Sequence, residues 1–99
     1  MTDDRAPLPF ARPLPPAFRR RTVTLDAGDS RPFDPDEWAD ALILIEDGVL
    51  ELECLDGERR RFHRGHVIWL DGLPLRCLRN PGAGPAVLVA VSRWRGAVR

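Results

Sequence analysis

Lysine is absent from this chain of 99 residues: all fifteen basic residues are arginine, and fifteen acids bring the formal net charge to zero. Genomic base composition alone can produce that usage, so no function is drawn from it. Long apolar runs are missing too, and nothing approaches the roughly 18 consecutive apolar residues of a membrane-spanning helix. The N-terminus carries no apolar stretch behind its charges, so no secretory leader is expected and the cytoplasm is the expected location. Cysteine is scarce. Cys54 and Cys77 lie 23 positions apart with no Cys-x-x-Cys pattern, which argues against a zinc site or redox pair. Both are read as buried thiols acting as small hydrophobes. A phosphate-cradling loop is lacking as well, because "NPGAGP" joins two strands and opens no helix. No helix-turn-helix segment is present, which argues against a DNA regulator.

What is present suits one domain with an adequate core. Charge is unevenly spread. Residues 1–25 hold five Arg against two Asp, residues 26–58 hold twelve acids against Arg31, and residues 59–99 hold nine Arg against Asp71. The basic run Arg59 to Arg64, "RRRFHR", is read as a solvated strand and not as a nucleic-acid patch, since the overall charge is zero. Five prolines within residues 1–16 mark an extended arm over residues 1–19. "RRTVTLDAG" reads as a first strand, and "DSRPFDPDEW" as a polar loop. "ADALILIE" is apolar on both faces and ends at Asp47-Gly48. "VLELECL" then alternates, with Leu50, Leu52 and Cys54 on one face and Glu51 and Glu53 on the other. Asp56-Gly57 is a second hairpin turn, followed by short strands in "ERRRFH", "HVIWL", "LRCLRN" and "AVLVAVS". Seven short strands without an amphipathic helical window predict an all-β, antiparallel sandwich or barrel over residues 20–95, with a tail at 96–99.

From about Asp40 to Ser92 the chain resembles a single-domain cupin, a jelly-roll β-barrel. The resemblance rests on "LILIEDGVLELE", the "DGE" hairpin, the Gly65 turn opening "GHVIWL", and "GLPLRCLRN" ending in Asn80. Gly65 and Asn80 match the ends of the family's second motif, and Gly48 the end of its first. The metal ligands of the family are not matched. Its glutamate position holds Ala41, its first two histidine positions hold Asp34 and Asp36 or Pro35 and Glu37, and its third holds Arg76. Arginine offers no lone pair to a metal, so no metal or other cofactor is expected. His63 and His66 flank the Arg64-Gly65 turn and are read as rim or surface histidines.

Strand alternation places Arg76, Leu78 and Asn80 on one face, and the family's register makes that face the interior. A buried guanidinium requires a partner, and Asp36, Glu37 and Asp40 are the candidates. Two readings stand: an ion pair filling the place of the metal, or a fork presented to a carboxylate-bearing ligand. The expected ligand-binding set is Arg76, Asp36, Glu37, Asp40, Ala41, Asn80 and Trp69. The resemblance further implies a homodimer through the sheet carrying Leu42 and Leu44, with the proline arm as an alternative cover for these residues. The expected function is metal-independent binding of a small molecule in the barrel, or a regulatory partner role, with neither nucleic acid nor membrane as partner. The alternative is an enzyme: a metal-free isomerase or cyclase, or a divergent oxygenase using acidic ligands. No inward histidine with an orienting partner is offered for acid–base work.

Overall fold

The computed structural model describes residues 18–93, and the surroundings of side chains from 18 to 92. The proline-rich stretch through residue 17 and the tail at 96–99 lie outside them. Eight strands and no helix are found among the described residues: β1 (Phe18–Leu25), β2 (Ser30–Pro32), β3 (Ala41–Asp47), β4 (Val49–Cys54), β5 (Arg59–His63), β6 (Val67–Trp69), β7 (Leu75–Arg79) and β8 (Ala86–Arg93). They form two four-stranded antiparallel sheets, ordered β1-β8-β3-β6 and β2-β7-β4-β5. Packed face to face, these make a jelly-roll sandwich. β5 and β6 end their respective sheets, and that placement matters below.

Period-two alternation sets the core. Ala41, Ile43 and Ile45 of β3, Leu50 and Leu52 of β4, and Ala86, Leu88 and Ala90 of β8 meet between the sheets and are buried. Each fully buried Leu or Ile stabilises the fold by about 1.5–3 kcal/mol. The outer face of β3 behaves as its apolar sequence suggests: Leu44 is buried with Val89 and Val91 of β8, and Leu42 is half-buried. Val67 and Trp69 on the adjoining edge strand are 53% and 47% exposed. Gly48 closes the β3–β4 turn at φ 82°, where a Cβ would lie 2.4 Å from the Pro85 carbonyl oxygen. Only glycine meets both conditions.

Three features differ from the sequence reading. "DSRP", read as loop, contains the edge strand β2, which pairs with β7 through Ser30, Arg31 and Pro32. Proline is tolerated there because an edge position need not donate to the ladder. β1 begins at Phe18, so residues 18 and 19 belong to a strand and not to the arm. The third difference is a bulge in the β4–β7 ladder. Glu53 stands opposite Cys77 and Cys54 opposite Leu75, leaving Arg76 as the extra residue. The bulge turns Leu75 inward and Arg76 outward. Arg76 is exposed, while Leu75, Leu78 and Asn80 are buried, which corrects the expected inward orientation of the arginine.

Candidate functional site

Because β5 and β6 are edge strands of different sheets, the sandwich stays open between them. A cavity of about 350 Å³ enters there, lined by Leu52, Cys54, Glu58, Arg60, Phe62, Ile68, Leu73, Pro74 and Leu75. The strand pattern supplies this lining. On β4 the inward positions are Leu50, Leu52 and Cys54, and in the β4–β5 register Arg60 stands opposite Leu52 and Phe62 opposite Leu50. Arg60 and Phe62 thus face the cavity side, and Arg59 and Arg61 the opposite side. Ile68 comes from β6, and Leu73 and Pro74 from the loop before β7.

Among the described residues, the charged groups of the lining, Glu58 and Arg60, are exposed and stand at the mouth. Arg60 is held by Glu58, with Nε and Nη2 donating to the same carboxylate oxygen at 3.4 and 3.3 Å. The Glu58 amide donates to Asp56 Oδ1 at 2.9 Å, fixing the hairpin turn. The Cys54 thiol is half-buried in the wall. A shallower depression of about 500 Å³ adjoins the cavity through Arg60 and Phe62 and adds Arg61, His66 and Val67. Its histidine is constrained, since the His63 backbone N–H donates to His66 Nδ1 at 2.8 Å and the ring packs edge-on against Phe62. That leaves Nε2 as the only ring nitrogen of His66 open to a ligand. Both histidines are exposed and sit at the β5–β6 turn.

The residues do not fit the metal of the resembled family. Ala41 is a buried methyl group between the sheets, and Arg76 faces outward. Among the described residues, one group of potential ligands lies close together: Cys54, Asp56 and Glu58, with donor atoms within 4.8 Å of one another. Two of its oxygens are already engaged, Asp56 Oδ1 by an amide and one Glu58 oxygen by Arg60.

The residues singled out from the sequence lie elsewhere and do not converge. Arg76 donates from Nη2 to the Leu55 carbonyl at 2.8 Å, and its Nε lies 3.6 Å from Glu53. Glu37 does meet arginine as an acid in that loop should, but its partners are Arg21, at 3.0 Å, and Arg31. Both guanidiniums lie over the Trp38 ring, at 4.8 and 5.7 Å from its centre. Trp38 is fully buried, and its Nε1 has no hydrogen-bond partner among the described residues. Asp36 is exposed, and Asp40 takes φ 55° just before β3. Asn80 is fully buried with its side-chain groups satisfied: Nδ2 donates to the Leu25 and Gly84 carbonyls, and Oδ1 accepts from the Gly82 amide. Trp69 stands on the outer face of β6. The cavity residues Arg60, Phe62 and Leu73 were not singled out, although the alternation "RRRFH" puts an arginine and a phenylalanine on the inward side.

The chain resembles solved cupin structures. A cupin domain of an XRE family transcriptional regulator from Enterobacter cloacae matches with TM-score 0.64 at 21% identity, over 85% of this chain and 94% of that one. A cupin 2 conserved barrel domain protein from Salinispora arenicola matches with TM-score 0.60 at 23% identity, over 98% and 92%. The cupin domain of Cnp3 from Schizosaccharomyces pombe matches with TM-score 0.65 at 18% identity, over 85% of this chain and 57% of that one. No family model and no curated protein matches the sequence. These likenesses show the fold: the chain takes the jelly-roll form of the cupin domains, as the resemblance implied.

Proposed function

We propose that this cupin-fold protein binds a small, largely apolar molecule carrying one anionic group in the cavity between β5 and β6, without transforming it. One observation carries the reading: a cavity walled by Leu52, Phe62, Ile68, Leu73 and Leu75 with a single guanidinium, Arg60, at its mouth. Apolar walls with few placed polar groups are the usual form of a small-molecule site, and a guanidinium fork matches a carboxylate with two donors. Glu58 is the built-in counterion, so an incoming carboxylate would displace it from Arg60. Binding is favoured over catalysis because, among the described residues, the cavity lining contains no imidazole and one carboxylate, which is engaged with arginine. A sensing role agrees with the Enterobacter neighbour, a domain of a transcriptional regulator. The exposed Val67 and Trp69, beside half-buried Leu42, are the surface we assign to a homodimer.

Thermal unfolding against matched aliphatic and aromatic carboxylates and alcohols tests the proposal. A carboxylate present at a hundred times its Kd should stabilise the protein by about 2.7 kcal/mol, raising Tm by roughly ten degrees or more. Arg60→Gln should abolish the preference for carboxylate over alcohol, and Cys54→Phe, which fills the cavity, should abolish both responses. Equal responses to carboxylate in wild type and Arg60→Gln would overturn the reading.

A further inference from the structure

The outer face of the β2-β7-β4-β5 sheet carries a second, independent feature. Glu51 and Glu53 project from β4 away from the core, and the register places Glu51 between Arg61 of β5 and Arg79 of β7. Although it stands on an outer face, the Glu51 side chain is only 4% exposed, because arginines cover it. Arg61 Nε lies 3.1 Å from its carboxylate, Arg59 Nε 3.7 Å and Arg79 Nε 3.8 Å. Beside it, Glu53 lies 3.8 Å from Arg59 and 3.6 Å from Arg76. In each of these pairs the arginine meets the acid through Nε, the inner edge of its fork. The terminal nitrogens of Arg59, Arg61 and Arg79 donate no hydrogen bond among the described residues, and these side chains are about half exposed. Four guanidiniums against two carboxylates leave the face with a net charge of +2.

We infer that this face docks an extended acidic peptide segment, with Asp, Glu or phosphorylated side chains at alternate positions. Arg59 and Arg61 lie two residues apart on one strand, which sets them about 6.5–7 Å apart. An extended peptide presents every second side chain at that same spacing. Arg61, whose Nε donates to Glu51, keeps its two terminal nitrogens for an oxyanion. So do Arg59 and Arg79, whose Nε atoms lie 3.7 and 3.8 Å from the same carboxylate without a hydrogen bond to it. Arg76 already spends Nη2 on the Leu55 carbonyl. The anchoring carboxylate also keeps the side chains from having to be ordered on binding. Nucleic acid fits less well. Phe33 and Phe62 pack against the core, so among the described residues no phenylalanine or tryptophan stands here to stack on bases. Two carboxylates in the patch and zero net charge on the chain oppose a dense phosphate backbone. A lone small anion would find only a flat, wet surface.

A titration of the isotopically labelled 99-residue chain with a short synthetic peptide alternating Glu and Ser tests the inference. Amide shifts are expected at Glu51, Glu53, Arg59, Arg61 and Arg79, saturable below about 1 mM and weakening as salt is raised. Arg59→Gln combined with Arg61→Gln should lower affinity about tenfold, and either single substitution severalfold, whereas Arg64→Gln, which removes one charge from the β5–β6 turn, should leave it unchanged. If the double Gln variant does not fold, Arg59→Lys with Arg61→Lys keeps the charge around Glu51 and should still lose affinity severalfold, because lysine lacks the fork. A peptide of the same composition with its Glu residues in one block should bind more weakly. Absence of shifts in wild type, shifts confined to another surface, or tighter binding of duplex DNA or pyrophosphate to the same face would each overturn the inference.

Discussion

Asn80 ties three parts of the chain together. Its side chain joins the end of β1, at the Leu25 carbonyl, to the β7–β8 loop, at Gly82 and Gly84. Its backbone bonds the β1–β2 turn, accepting from the Gly28 amide and donating to the Asp29 carbonyl. Asn80→Asp keeps the shape but sets a carboxylate against two carbonyl oxygens that have lost their donors. The cost should be about 3 kcal/mol or more, read as a fall in Tm by thermal unfolding. A change of less than about 0.5 kcal/mol, typical of surface substitutions, would show that the network does not hold the loop. Cys77 gives a second test at this scale. Burial, then the Glu53 charge and the hydrogen bond from Sγ to Glu53, push its thiol above the ordinary thiol value. A raised folded-state pKa favours the neutral thiol. The associated stability is present below the unfolded pKa and lost as pH rises through the folded one. Alkylation of Cys77 in the folded protein should therefore set in at higher pH than in urea, and Glu53→Gln should move it back down. Onset at the same or lower pH than in urea would contradict this.

At the scale of elements, most strands were legible because apolar and polar residues alternate cleanly between glycine-marked turns. β4 is the clearest case: Leu50 and Leu52 went inward and Glu51 and Glu53 outward, as read. β7 shows where the pattern fails. Leu78 and Asn80 took the inward face as expected, but the bulge opposite Glu53 and Cys54 exchanged Leu75 and Arg76. A bulge adds one residue to one strand of a pair, and nothing in "LRCLRN" alone shows that its partner skips one. β2 is not legible in the sequence for a related reason: Ser-Arg-Pro has little strand propensity and is held by its pairing with β7. The site was less legible than the fold, since the cavity arises where two edge strands from different sheets face each other. Because Arg76 is exposed, Arg76→Ala should cost less than about 1 kcal/mol. Trp38→Ala, by contrast, empties a fully buried position beneath Arg21 and Arg31 and should cost about 3–5 kcal/mol. Denaturant unfolding of the two variants checks the ordering, and a larger loss for Arg76→Ala would return that residue to the core.

At the scale of the molecule, the two sheets present unlike outer faces: one apolar around Val67 and Trp69, the other lined with arginine over Glu51 and Glu53. The apolar face is where self-association is expected. Sedimentation at tens of micromolar, a concentration at which a specific interface of this kind normally holds, should give about twice the 11.2 kDa chain mass. Trp69→Glu should return it to the single-chain value, and a wild-type protein that sediments as one chain would refute the dimer. The cavity between β5 and β6 is the central claim, and methyl NMR of the labelled protein titrated with benzoate addresses it most directly. Saturable shifts of the Leu52, Ile68, Leu73 and Leu75 methyls are predicted, with Val89 and Val91 on the outer face unmoved, the affinity weakened in Arg60→Gln to that for the matched alcohol, and the response lost in Cys54→Phe. Shifts restricted to the outer-face methyls, or undiminished in Arg60→Gln, would contradict it.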